Sequence, residues 1–182
     1  MTTVEPTAFQ FVAFDADLIR RIADGLVEAL GIDRPVLVVV DEATPLARIR
    51  TEIGDAITVR VESGAFEDAR RPREQSELAT TTTLARALLR ARDRISGGFG
   101  EAPSDDDLSL RQVAAWEVYC AGRMARLGVP VNQQRWKYNF RNRHGFTDVA
   151  DEAFDRVWTA DGLTWGELES ISTAGAAEGV AS

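Results

Sequence analysis

The sequence has 182 residues, of which 45% are hydrophobic and 27% charged, and its formal net charge is -8. A chain of this size buries roughly 70% of the surface that its unfolded form exposes, which suffices for a core without disulfides. No apolar run approaches the ~20 residues of a membrane span, and the acidic balance argues against nucleic acid as a partner of the whole surface.

The first part of the chain predicts a strand and an amphipathic helix. Residues 8–14 predict a short edge strand. Apolar residues then recur at intervals of three and four over residues 18–30, which indicates a helix. Asp15 or Asp17 is the expected N-cap, and Gly31 is placed to end the helix in a left-handed conformation.

The next segments predict a buried strand and a hairpin. The β-branched run at residues 35–40 is typical of a central strand covered on both faces. Two alternating segments flank Gly54 and Asp55, which favours a hairpin with one wet face. The side chains expected on its buried face are Ile49, Ile53, Ile57, Val59 and Val61.

The middle of the chain predicts two long helices and their connections. Residues 67–75 are charged and contain a proline, so we expect a loop that leads into a helix over residues 76–95. The glycine-rich segment 96–107 is expected to be a mobile connection. Ser104 and Asp107 resemble a capping box that starts the second long helix.

The remaining elements complete the predicted architecture. Thr147 is the expected N-cap of a helix over residues 148–158, and residues 165–171 predict another helix. Residues 172–182 are small and polar, as in a flexible tail. We therefore predict an α+β fold with a small three- to four-stranded mixed sheet packed against long helices. The expected organisation is a single domain over residues 1–171, with a helical extension at 131–171.

Two stretches carry a resemblance to a known family. They are "SELATTTTLARALL", at the start of the first long helix, and "AAWEVYCAGRMARLGVP", in the second. Together with the order of elements over residues 15–130, they resemble the minimal zincin metallopeptidases of the gluzincin type. The resemblance implies a zincin-like fold, in which the first helix carries His-Glu-x-x-His and the second contributes a glutamate to the metal.

The metal-binding residues of that family are missing from this chain. If the motif is set on "SELAT", Ser76 and Thr80 replace the histidines and Glu77 remains; if it is set on "TTLAR", Thr82 and Arg86 replace them. Hydroxyl oxygens are poor zinc ligands beside imidazole, and a guanidinium places a cation where the metal would lie. We therefore expect no metal, no cofactor and no catalytic residue at the degenerate motif positions, which are Ser76, Glu77, Thr80, Thr82, Thr83, Arg86 and Glu117.

Glu117 occupies the position where the resemblance implies a third metal ligand. It falls within an apolar stripe of its helix, formed by Leu110, Val113, Ala114, Cys120, Ala121 and Met124. A buried carboxylate requires a partner, so we predict that Glu117 pairs with Arg86 or Arg123. The alternative is that Glu117 lies at the edge of the stripe and reaches solvent.

The chain has one cysteine and one histidine. Cys120 lies among apolar neighbours, and a small buried side chain is the expected role. His144 has Arg141 and Arg143 close by in sequence, which would repel a divalent cation. We therefore predict a surface or anion-facing histidine.

A basic and aromatic segment extends over residues 135–146. Its candidate binding residues are Arg135, Trp136, Lys137, Tyr138, Arg141, Arg143 and His144. Interleaved cations and aromatic rings can bind single-stranded nucleic acid or an acidic protein surface. Alternatively, Trp136 and Phe140 anchor a short helix to the core by their helical spacing.

These observations lead to three functional hypotheses. The first is a non-catalytic, zincin-like, cytoplasmic protein that has no membrane partner; the cytoplasm is expected because no secretory leader is recognisable. It would bind another protein through the cleft left by the lost metal site or through the basic and aromatic segment after Pro130. The second is an enzyme of unrecognised type that uses Glu77 or Glu117 as an acid or base. The third is a nucleic-acid-associated accessory factor that acts through residues 135–146.

Overall fold

The computed structural model describes residues 1–176, which form two compact units, Met1–Arg92 and the part of the chain from Asp93 onward. The α+β class is confirmed: the described residues contain a mixed four-stranded sheet and six α-helices. A compact unit is not in itself an independently folding domain, so the single domain over residues 1–171, with its extension at 131–171, stays a prediction.

The first unit begins with a β-α-β arrangement. Strand β1 (Thr2–Glu5) pairs in parallel with β2 (Val36–Asp41), and helix α1 (Ala16–Leu30) connects them and packs against β1. The Asp15 side chain accepts hydrogen bonds at the start of α1, and Gly31 ends the helix with φ 61°, as the sequence predicts.

The predicted edge strand at residues 8–14 is wrong. The first strand lies nearer the N-terminus, at Thr2–Glu5, and residues 8–14 contribute only an isolated bridge from Ala13 to Glu74. The apolar residues of this segment therefore mark a connection before α1. Alternation of apolar residues over so short a range does not separate a strand from a packed loop.

The sheet has the strand order β1-β2-β4-β3. Strand β2 pairs in parallel with β4 (Ile57–Glu62), and β3 (Ile49–Ile53) pairs antiparallel with β4. The central position of β2 and the hairpin are thus confirmed. On the inner face, Ile57, Val59 and Val61 are buried as predicted, whereas Ile53 is 36% exposed and Ile49 is half-buried. The prediction for these two isoleucines is wrong because β3 lies at the sheet edge.

The predicted loop at residues 67–75 is a short hairpin instead. Strands β5 (Glu67–Asp68) and β6 (Arg71–Gln75) pair antiparallel and precede helix α2 (Glu77–Ile95). Arg73 stabilises the hairpin through its side chain. Its backbone is in the left-handed region, with φ 67°. Its guanidinium donates to the carbonyl oxygen of Glu42 at 2.6 Å and contacts the Glu67 carboxylate at 3.2 Å. Side-chain bonds to distant segments, rather than apolar alternation, therefore order this polar sequence.

The described part of the second unit contains four α-helices after α2. They are α3 (Leu110–Arg126), α4 (Gln133–His144), α5 (Asp148–Thr159) and α6 (Trp165–Ala174). Thr147 caps α5 as predicted. The capping box of α3 is formed by Ser109 and Gln112, so the prediction for Ser104 and Asp107 is wrong. Ser104 precedes a short 3-10 helix, Asp105–Asp107, and its hydroxyl donates to the Asp107 carboxylate at 2.6 Å.

An aromatic cluster forms the core of the second unit. Phe99 contacts Trp116, Tyr119 and Trp165, with ring centroids between 5.0 and 6.1 Å apart. Leu110, predicted to be buried, is 62% exposed at the first turn of α3.

Helix α6 extends past the predicted end at Ile171 to Ala174, so the predicted flexible tail at 172–182 begins too early. Residues 177–182 of that tail lie outside the described residues. Within the described part of the chain, none of the helices has the length and apolar character that a bilayer crossing requires.

Candidate functional site

The threonine run of α2 forms hydrogen bonds to backbone carbonyls. Thr80 and Thr82 donate to the carbonyl oxygens four residues earlier, those of Ser76 and Leu78, at 2.8 and 2.7 Å. Thr83 is buried and donates to the carbonyl oxygen of Ala65 at 3.0 Å. A hydroxyl side chain within a helix commonly either faces solvent or donates to a backbone carbonyl oxygen in this way. Three hydroxyls of the run are therefore engaged with backbone rather than with an open cleft.

The other degenerate motif positions in the first unit lie at the start of α2, for Ser76 and Glu77, and at its middle, for Arg86. The Ser76 hydroxyl accepts from the backbone N–H of Ala79 at 3.1 Å, which is the geometry of an N-cap. Glu77 is exposed in the first turn, where a negative charge is favourable, and Arg86 is half-buried. Among residues 1–176, no group of three or more His, Cys, Asp or Glu side chains is arranged to hold a metal ion.

The second unit contains a buried ion pair that sequence reasoning missed. Asp93 and Arg123 are 5% and 6% exposed, and the two terminal nitrogens of Arg123 donate to the Asp93 carboxylate at 2.6 and 2.7 Å. Trp116 Nε1 donates to the same carboxylate at 2.8 Å. Burial opposes the charge on Arg123, but the hydrogen bonds to Asp93 and the charge interactions with Asp93, Cys120 and Tyr119 together outweigh it, and they raise the pKa of the guanidinium above its ordinary value.

This ion pair corrects one of the two partners predicted for Glu117. Arg123 is bonded to Asp93, not to Glu117, and Glu117 itself is half-buried on α3. The pairing of Glu117 with Arg86 stays a prediction. No signal in "RARDRI", residues 90–95, separates Asp93 from its charged neighbours, because its partner lies 30 residues away. Cys120 is fully buried, as predicted.

The prediction of a surface or anion-facing His144 is wrong. The side chain is 4% exposed and its ring stacks on Phe140 with 3.8 Å between centroids. Nδ1 lies 3.2 Å from the Phe140 carbonyl oxygen, which can only accept, so Nδ1 carries the proton. Nε2 then accepts from the Ser172 hydroxyl at 2.8 Å. The flanking arginines point to a surface position, but the contact with α6 decides the burial.

Burial lowers the pKa of His144 below its ordinary value of 6.5. As pH falls through 6.5 the unfolded chain takes up a proton before the folded protein does, so the folded state loses stability, at most about 1.4 kcal/mol per pH unit. We expect unfolding midpoints in urea to decrease from pH 7.5 to pH 5, and the decrease to be smaller in His144→Gln.

The chain's single histidine allows a direct check of this effect. The Cε1 proton of His144 gives one NMR signal, whose midpoint of titration in the folded protein should lie below 6.5. A midpoint at or above that value would contradict the burial argument.

The basic and aromatic segment forms α4 and the turn that follows it. Phe140 is fully buried and Trp136 is half-buried, in keeping with the alternative that these rings anchor the helix. Two of the cations are neutralised by α5: Arg141 Nε donates to Asp151 at 2.7 Å, and Lys137 lies 3.4 Å from the same carboxylate. This neutralisation removes part of the positive charge that the sequence predicts for the surface.

Two aromatic rings of this segment remain exposed. Tyr138 and Phe146 are 59% and 64% exposed and meet edge to face, with 6.0 Å between ring centroids. The Arg141 guanidinium lies 5.9 Å from the centre of the Phe146 ring. Arg135 and Arg143 are exposed on the same helix. We call these five residues, Arg135, Tyr138, Arg141, Arg143 and Phe146, the α4 patch.

The comparisons with known proteins yield no relative. No protein family matches the chain, and neither the curated proteins nor the solved structures include a significant match. The resemblance to zincin metallopeptidases therefore stays a prediction.

Proposed function

We propose that the protein acts without catalysis, by binding another protein through the α4 patch. The observation that supports this most directly is the exposed pair Tyr138 and Phe146, because tyrosine and arginine side chains are enriched where binding energy concentrates in protein interfaces. Large aromatic rings that pack against each other in solvent have restricted freedom before binding. Less entropy is then lost when a partner covers them.

The charges of the α4 patch indicate the chemistry of the partner. Arg135 and Arg143 make no side-chain ion pair among residues 1–176, and both are exposed on the helix that carries Tyr138. The chain as a whole is acidic, with a net charge of -8, so a basic helix is distinctive on this molecule. We propose an acidic partner segment with at least one large apolar residue, which would cover the rings while its carboxylates face the arginines.

The histidine and the threonines of this chain support a function without catalysis. The chain has one histidine, and its two ring nitrogens face Phe140 and Ser172. The threonines at the degenerate motif positions are bonded to backbone carbonyls. Neither set supplies a free imidazole for metal or base chemistry.

Selection of random peptides displayed on phage provides a defined test. Peptides enriched on the wild-type protein should combine Asp or Glu with Leu, Phe or Trp. Their affinity, measured by fluorescence anisotropy, should fall about 10- to 30-fold in Tyr138→Ala and in Phe146→Ala, since a hot-spot residue contributes about 2 kcal/mol.

Phe11→Ala is the matched control, because Phe11 is 63% exposed in the other unit. Its affinity for the selected peptides should equal that of the wild type. Peptides that bind Tyr138→Ala and Phe146→Ala as tightly as the wild type would refute the proposal. Retention of a single-stranded oligonucleotide at low salt, lost in Arg135→Ala/Arg143→Ala, would favour a nucleic-acid partner instead.

A further inference from the structure

The outer face of the sheet in the first unit carries a group of charged side chains in two rows. In one row Arg60 of β4 lies between Val39 of β2 and Arg50 of β3. In the next row Glu62 of β4 lies beside Asp41 of β2. The backbone N–H of Glu62 donates to the carbonyl oxygen of Arg48 at 3.0 Å, which places Arg48 on the other side of Glu62. Same-face residues along a strand are about 6.8 Å apart, so the two rows lie within reach of one small molecule.

These residues line an open cavity of about 240 Å³, together with Val61. Ligand pockets for drug-sized molecules begin at roughly 300 Å³, so the volume suits a smaller ligand. Its lining combines the apolar residue Val39 with three arginines, Arg48, Arg50 and Arg60, and two carboxylates, Asp41 and Glu62. The cavity thus brings positive and negative charge within a short distance of each other.

Several of these charged groups lack a partner within residues 1–176. Arg60 pairs with Glu52 at the rim, at 3.0 Å. Arg48 and Arg50 make no side-chain hydrogen bond or ion pair among the described residues, and Glu62 Oε2 is buried there without a hydrogen-bond partner. Arg48 lies opposite Glu62 without pairing with it. A buried acceptor that remains unsatisfied is unfavourable, which makes it a sign of a missing donor.

The arrangement also places like charges side by side. Arg50 lies directly opposite Arg60 across the antiparallel pair, and Asp41 lies beside Glu62 across the parallel pair. Like charges in such positions are destabilising. The Asp41 carboxylate already accepts from the Ala43 N–H at 2.9 Å and from the Thr44 hydroxyl at 2.7 Å, so Glu62 is the carboxylate left to accept from a ligand.

We propose that this cavity binds the zwitterion of a free α-amino acid with an apolar side chain. The α-carboxylate accepts from Arg48 and Arg50, and the α-ammonium group donates to Glu62, with Asp41 adding negative charge nearby. Such charge-assisted hydrogen bonds are the stronger kind. The side chain lies over Val39. An anion alone would satisfy the arginines but leave the Glu62 carboxylate without a donor.

Titration of the protein with L-leucine, followed by amide NMR shifts and by calorimetry, tests this site. L-Leucine at millimolar concentration should shift signals from β2, β3 and β4. Arg50→Ala and Glu62→Gln should each weaken binding at least tenfold, as expected for loss of one charge-assisted hydrogen bond. Arg21→Ala, an exposed arginine of α1, is the matched control and should leave the affinity unchanged.

Two analogues of leucine separate the roles of the charges. 4-Methylpentanoate lacks the ammonium group, so it should bind at least tenfold more weakly than L-leucine and be insensitive to Glu62→Gln. 3-Methylbutylamine lacks the carboxylate and should be insensitive to Arg50→Ala. Absence of any shift with L-leucine, or equal binding of 4-methylpentanoate and L-leucine, would overturn the proposal. These outcomes are independent of the α4 patch, which lies in the other unit.

Discussion

Asp93→Ala is expected to lower the free energy of unfolding by about 3–5 kcal/mol, because it removes one partner of a buried ion pair and leaves the other charged. Arg123 would remain 6% exposed with no carboxylate within bonding distance, and Trp116 Nε1 would lose its acceptor. The change is measured by urea unfolding followed by far-UV circular dichroism.

Two further variants test whether the loss of stability comes from the buried ion pair. Asp161→Ala changes an exposed aspartate and should leave the midpoint within about 0.5 kcal/mol of the wild type. Asp93→Leu/Arg123→Met replaces both charges by apolar groups, and it should be more stable than Asp93→Ala, since no buried charge is left unpaired. A wild-type midpoint for Asp93→Ala would show that the pair contributes nothing.

Gly122→Ala should destabilise the second unit by about 3 kcal/mol, the upper end of the usual cost of overpacking. A Cβ atom at Gly122 of α3 would overlap the carbonyl oxygen of Trp158 of α5 and lie 2.9 Å from its carbonyl carbon. The obstruction is backbone, so a side-chain rotation cannot relieve it. Separation of the helices would also weaken the bonds from Arg126 to the carbonyl oxygens of Trp158 and Ala160, at 2.9 and 2.6 Å.

Gly166→Ala is the matched control for the glycine. It lies in α6, and a Cβ there would meet no atom within 4 Å. The preference of a helix interior for alanine over glycine is about 0.5–1 kcal/mol, and Gly166 lies in the first turn, so we expect a stability equal to the wild type or higher by no more than that amount. Thermal unfolding of both variants separates the overpacking at Gly122 from the general effect of replacing a helical glycine by alanine. A Gly122→Ala protein as stable as the wild type would disprove close packing of α3 on α5.

Local signals account for the parts of the fold that were predicted from sequence. The start and end of α1 follow from Asp15 and Gly31, and the β3–β4 hairpin follows from alternation on both sides of its turn. The β5–β6 hairpin was missed because its sequence is polar throughout. Its order depends on bonds from Arg73 to segments as far away as Phe11, 62 residues earlier.

The residues of the candidate site were harder to predict from sequence because their positions also depend on contacts with distant residues. The position of His144 depends on Ser172, 28 residues later, while its immediate neighbours are charged. The helical part of the 135–146 segment was anticipated through the spacing of Trp136 and Phe140. The ion pairs of Lys137 and Arg141 with Asp151 were not, since the relative placement of two helices is not encoded in local periodicity.

The position of Asp93 also limits how the chain can be divided for expression. The final turn of α2 supplies the counterion of an arginine on α3, although α2 begins in the preceding unit. A fragment meant to carry α3 to α6 has to start upstream of residue 93. A fragment that starts after residue 93 would bury the charge of Arg123 without its counterion Asp93. A low yield of that fragment would then result from the loss of Asp93, not from the intrinsic stability of the four helices.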